Sequence, residues 1–116
     1  MTQQTKPSAL SLIPDQIVMP EDCTLMTEVR AGVDAIDRHL VELFILRTGY
    51  MEAAARIKPT REHVYDQWRV DDVLEKVKAQ AEARGLSTAF SQPVWEEIIK
   101  RSIAHEYDTY DEVRSD

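Results

Sequence analysis

Residues 24–59 read TLMTEVRAGVDAIDRHLVELFILRTGYMEAAARIKP, and the spacing of their apolar side chains decides the fold. Val29, Val33, Ile36, Leu40, Leu43, Phe44, Met51, Ala54 and Ile57 fall in a three/four alternation, the period that gathers side chains on one face of a helix. Thr24 is a candidate N-cap, and Pro59 stops the run. Gly32 and Gly49 each weaken such a helix by roughly 1 kcal/mol relative to Ala, but neither has a proline beside it to force a break. At 1.5 Å per residue, a helix from Leu25 to Lys58 runs about 51 Å, whereas a domain of this size has a radius of gyration of about 13 Å. The helix outreaches its own domain, and its apolar stripe asks for a partner chain to cover it.

Two shorter helices follow. Asp66 is a possible N-cap for the first, with Val70, Val73, Leu74, Val77 and Ala81 inward and Gly85 at the C-terminal cap position. Ser87 or Ser91 opens the second, with Pro93 in its first turn and Val94, Ile98, Ile99, Ile103 and Tyr107 on the inner face. No strand-like alternation survives, so the expected fold class is all-α, one long helix and two shorter ones. Residues 1–20 hold three of the five prolines with Gln, Ser and Thr, and read as a flexible N-terminal arm before a helical domain over 21–116.

Composition narrows the function. The 116 residues, 43% of them hydrophobic, suffice for one domain with a core. Fourteen Lys+Arg against 21 Asp+Glu give a net charge of −7, which argues against a nucleic-acid or membrane-surface partner but leaves room for an anionic small molecule. The single cysteine, Cys23, makes no intrachain disulfide. The apolar run from Ala9 to Met19 is broken by Pro14 and Asp15 and reads as neither signal peptide nor anchor, so the expected location is cytoplasmic. No Gly-rich phosphate loop, zinc-type cysteine pair or His-x-x-x-His pair occurs, and no metal site is expected. His39, His63 and His105 lie on three segments and read as surface or packing residues. Cys23 has no evident base partner and reads as structural.

The stronger signal is charge embedded in the apolar periodicity. Arg47 and Lys58 are eleven residues apart, about 20° around a helix axis, and share a face with Leu40, Leu43 and Ala54. Arg30 is offset from Arg47 by about 100°, unsuited to the same pocket but able to enter that of a second chain. Arg69 stands beside Val70 and leans inward, while Ser102 and Glu106 are i,i+4 neighbours on the face of Ile99 and Ile103. Arg and Lys commonly lay their stems on apolar surface with the charge in water, so any one of these alone reads as a solvated cation. Glu106 could equally be a surface acid near Lys100 or Arg101. Periodicity taken alone reaches no further than a helical dimer with room for an anion site.

Pro20-Glu21-Asp22-Cys23-Thr24, Arg30, Asp34-Ala35-Ile36-Asp37, Leu43, Arg47, Ala53-Ala54, Lys58, Arg69, Gly85-Leu86 and Ile98-Ile99, in that order, resemble the all-helical chorismate mutase family. The resemblance covers roughly Pro20 to Tyr107. It implies an intertwined homodimer whose active sites are shared between chains, in the shikimate pathway. By that resemblance Arg30 reaches the partner's site, Arg47, Lys58, Arg69, Ser102 and Glu106 serve their own, and Asp66 orders the rim near the substrate hydroxyl. The implied reaction, chorismate to prephenate, is pericyclic and needs no nucleophile, metal or cofactor. The protein contributes a fixed reactive conformation and charge complementarity, with Lys58 donating to the ether oxygen as the C–O bond breaks.

Two positions depart from the usual pattern. Glu106 stands where bacterial members carry Gln; a Glu donates to the ether oxygen only while protonated, so activity should fall as pH rises. Val70 stands where typical mutases carry Glu, and such a residue, like the Pro20–Thr24 segment, resembles the relatives that eliminate pyruvate from isochorismate to give salicylate. Those lyases retain some mutase activity and use nearly the same cationic cage. The expected function is chorismate mutase, with isochorismate pyruvate lyase as the alternative and a non-catalytic helical dimerisation module as the competitor outside enzymology.

Overall fold

The structure is a computed structural model that describes residues 17–115, and every regular element among them is helical. Three α-helices follow one another: α1 (Met26–Ile57), α2 (Gln67–Arg84) and α3 (Thr88–Val113). Short 3-10 turns stand at Pro20–Asp22 and Arg61–His63. Of the expected arm, residues 1–16 lie outside the described residues. None of the described helices is long and apolar enough to cross a membrane.

Local chemistry sets the helix ends. At the start of α1 the capping acceptor is Glu28 rather than Thr24: its Oε1 accepts from the N–H groups of Thr24 (2.9 Å) and Leu25 (3.0 Å). Those two donors hold the Glu28 carboxyl below its ordinary value. The carboxylate reaching back from the third helical position is one half of a capping box. Asp66 caps α2 as its position suggested, accepting from the Trp68 N–H at 3.0 Å. Gly85 ends α2 at φ 82°, and the Leu86 N–H returns to the Ala81 carbonyl at 2.8 Å, a Schellman-type close.

Ser87, not Ser91, opens α3, its Oγ accepting from the Ala89 N–H at 3.2 Å. Pro93 consequently sits in the second turn of α3, not the first. There it lacks the N–H that would have reached the Ala89 carbonyl. Ser91, expected as an alternative cap, is buried within the helix.

The chain forms two compact units, Met1–Leu46 and Arg47–Asp116, which divide within α1. In the first, the segment from Ile17 to Cys23 lies along the start of α1, and a Cβ on Gly32 would stand 4.0 Å from the Val18 carbonyl. Ala35 is buried here, but the apolar stripe is not: Val33 is 53% exposed, Leu40 44% and Phe44 41%. In the second, α2 packs on α3. Its core gathers Ala55 from α1, Val64 from the loop and Tyr110 from α3, with Ile103 and Tyr107 against them.

Gly85 is the one residue of the described chain with positive φ, and no atom lies within 4 Å of where its Cβ would be. Gly85→Ala is therefore expected to cost backbone strain alone, about 1–2 kcal/mol in denaturant unfolding, with Gly85→Asn losing less.

Candidate active site

A cavity of about 400 Å³ lies wholly within the second unit. Ordinary small-ligand pockets span roughly 300–1,000 Å³. Its wall takes Arg47, Met51 and Ala54 from α1, Lys58 from just beyond its end, Asp66, Trp68, Arg69, Val70 and Val73 from the start of α2, and Ile99, Ser102, Ile103 and Glu106 from α3. Seven of the eight residues singled out in the sequence thus meet on one cavity. The eighth, Arg30, lies on the part of α1 that belongs to the first unit, exposed to solvent.

Each polar side chain is held by a neighbour. The Ser102 hydroxyl donates to the Ile98 carbonyl (2.7 Å) and accepts from Arg47 Nη1 (2.5 Å), so a turn of α3 orients the guanidinium. Arg47 is answered by that neutral hydroxyl. Burial, and after it the charge of Arg69, keeps Arg47 below the ordinary guanidinium value. Arg69 lines the cavity but leans less far inward than expected, with its side chain 59% exposed and Nη1 2.6 Å from Asp72 Oδ2. The same oxygen takes Lys76 Nζ at 2.9 Å, and the two cations lower the Asp72 carboxyl.

Lys58 projects from just beyond the end of α1. Its Nζ stands 2.7 Å from Glu106 Oε2 and 3.4 Å from the Val64 carbonyl. Glu106 is only 4% exposed. Although the ammonium is close, its approach lies off the hydrogen-bond direction, and the buried Oε2 keeps no directed partner. A buried oxygen without one is costly unless something else uses it. Asp66 reaches the rim with one carboxylate oxygen, Oδ1, capping α2. Val70 gives the wall an apolar patch where a carboxylate or amide would have offered hydrogen bonds.

Sequence reading missed Val64 and Trp68. Val64 is buried at 3% exposure and presents a carbonyl to Lys58, yet it sits in a loop with no periodicity to flag it. Trp68 lines the cavity while remaining largely exposed, at a position where α2 has barely begun. Among the described residues no group of three His, Cys, Asp or Glu side chains is placed to hold a metal ion. The arrangement sets apolar walls beside guanidinium groups, which suits an anionic small molecule with an apolar body.

Known proteins match this chain in sequence. The family described as chorismate mutase type II matches residues 29–107. The isochorismate pyruvate lyase of Pseudomonas aeruginosa is 32% identical over 87 residues, an alignment covering 75% of this chain and 86% of that one.

The opposed charges give a prediction. Arg47→Met is expected to leave thermal stability unchanged or higher without ligand, because it removes a half-buried cation repelled by Arg69. The same variant should lose the rise in melting temperature that a cyclic dicarboxylate gives the parent protein.

Proposed function

This chain belongs to the type II chorismate mutase family, and on that premise we propose that it catalyses the rearrangement of chorismate to prephenate. The observation that carries the reading is the pairing of Lys58 Nζ with the buried Glu106 Oε2, 2.7 Å apart, on a cavity that also receives Arg47 and Arg69. The reaction is intramolecular. One C–O bond breaks as one C–C bond forms, no atom leaves, and negative charge gathers on the ether oxygen in between. A scaffold helps by holding the reacting ends together and by placing donors where that charge appears.

In this reading Arg47 grips one substrate carboxylate, oriented by Ser102, and Arg69 adds positive potential from the other side. Lys58 donates to the ether oxygen, its ammonium steadied by the Glu106 carboxyl 2.7 Å away. No metal or cofactor enters the scheme. Arg30 acts in trans on a second copy of the chain. The exposed stripe of Val33, Leu40 and Phe44 on the first part of α1 supports such a homodimer, since burying that much apolar surface against an identical helix is favourable.

A second reading has its own support. Val70 lines the cavity where a polar group would hold the substrate hydroxyl, and the Pseudomonas relative is named an isochorismate pyruvate lyase. In that reaction isochorismate would occupy the same cage and lose pyruvate to leave salicylate.

Product analysis separates the two. Purified protein given chorismate and isochorismate separately is expected to form prephenate from chorismate. Lys58→Ala should cost at least about 100- to 1,000-fold in rate. Efficient release of pyruvate and salicylate from isochorismate would assign the protein to the lyases instead. Turnover of neither substrate would leave a helical dimerisation module.

The shared site has a separate check. Arg30→Ala and Arg47→Ala proteins, each inactive alone, should recover part of the parent activity when mixed and allowed to exchange subunits. One of the two sites in a mixed dimer then has both arginines. A stable monomer by light scattering, or no recovery on mixing, would refute the shared site.

A further inference from the structure

We propose that Arg114 is a positioning residue for Lys58, an assignment that rests on the catalytic reading of that lysine. The need for it begins in the sequence. In a continuing helix the N–H of residue 59 would bond the carbonyl four residues back, on Ala55, but residue 59 is proline and has no N–H. Ala55 is 0% exposed, so water does not substitute for the missing donor.

Arg114, the first residue beyond α3, supplies it. Nη1 donates to the Ala55 carbonyl at 3.0 Å and Nη2 to the Lys58 carbonyl at 2.9 Å. The planar fork of a guanidinium aims two N–H groups at the two acceptors in a fixed geometry, which a flexible ammonium does not reproduce. Tyr110 braces the fork: its ring lies 3.6 Å from the guanidinium carbon, and its hydroxyl donates to the Pro59 carbonyl at 3.4 Å. A cation also belongs at this end of α1, where the helix macrodipole is negative.

The Lys58 backbone is therefore fixed on both sides. Its N–H bonds the Ala54 carbonyl at 2.9 Å, and its carbonyl is held by Arg114. From that root the side chain reaches Glu106 Oε2 at 2.7 Å. Arg114 does not line the cavity, so its effect on rate passes through Lys58.

The test is a double-mutant cycle. Arg114→Ala is expected to lower kcat/KM about 10- to 100-fold with Lys58 present, as a small misplacement of a catalytic group does, and less than about twofold in the Lys58→Ala background. Equal losses in both backgrounds would mean a merely structural role and overturn the proposal, as would no loss in either. If Arg114→Ala fails to fold, Arg114→Lys, which keeps the charge but not the fixed fork, is taken through the same cycle with the same criteria. A parent protein inactive on both chorismate and isochorismate would instead count against the catalytic reading. The capping contact is then judged by amide exchange at Lys58: a rise of about tenfold in Arg114→Ala supports it, and an unchanged rate overturns it.

Discussion

Arg47 and Arg69 share one cavity, where burial first and the neighbouring charge second work against the charged form of Arg47. Like charges drift apart unless the frame around them resists. Here Asp72 draws Arg69 toward the α2 surface, and Ser102 holds Arg47 from α3. Glu106 meets Lys58 from the next turn of α3. Each restraint comes from a helix rather than a mobile loop, which keeps the positions of the charges fixed when no ligand is bound. The arrangement is unfavourable empty and favourable when an anion enters, which is how a site stores binding preference.

That constraint explains why the charges, more than the packing, were visible in the sequence. Helical spacing alone puts Arg47 and Lys58 on one face and Ser102 beside Glu106, because α1 runs unbroken from Arg47 to Ile57, the residue before Lys58, and α3 runs through both Ser102 and Glu106. The caps at Asp66, Ser87 and Gly85 were legible for the same local reason. What could not be read depends on contacts distant in sequence. Val64 reaches Lys58 from a loop, and Arg114 reaches Ala55 across 59 residues. No period links such pairs. The start of α1 was misassigned because Thr24 and Glu28 both suit a capping role, and only geometry shows the carboxylate taking the backbone donors.

Pro59 connects these two kinds of information. Read locally it is a helix stop, and α1 does end at Ile57. In three dimensions it also removes a donor from the turn that carries Lys58, leaving a buried carbonyl to be answered from elsewhere. The Tyr110–Arg114 pair on the far end of the chain is that answer. A sequence feature that looks like punctuation thus ties the C-terminal turn of α3 to the cavity through one lysine.

The cationic cage does not by itself choose between rearrangement and elimination. In the proposed reading both substrates are dianions with a breaking ether bond, so Arg47, Lys58 and Glu106 would serve either. Selectivity must come from groups that meet the parts of the two substrates that differ, above all the ring hydroxyl. Val70 cannot hydrogen-bond it, whereas Asp66 gives Oδ1 to the Trp68 N–H and has a second carboxylate oxygen at the rim. Along the Val70 side the wall therefore penalises neither hydroxyl position strongly. A site built in this way discriminates by shape against Val70, Val73 and Trp68, where differences of a few methylene contacts are worth only about 1–3 kcal/mol. Activity on both substrates, unequal but measurable, is what such a wall leads one to expect.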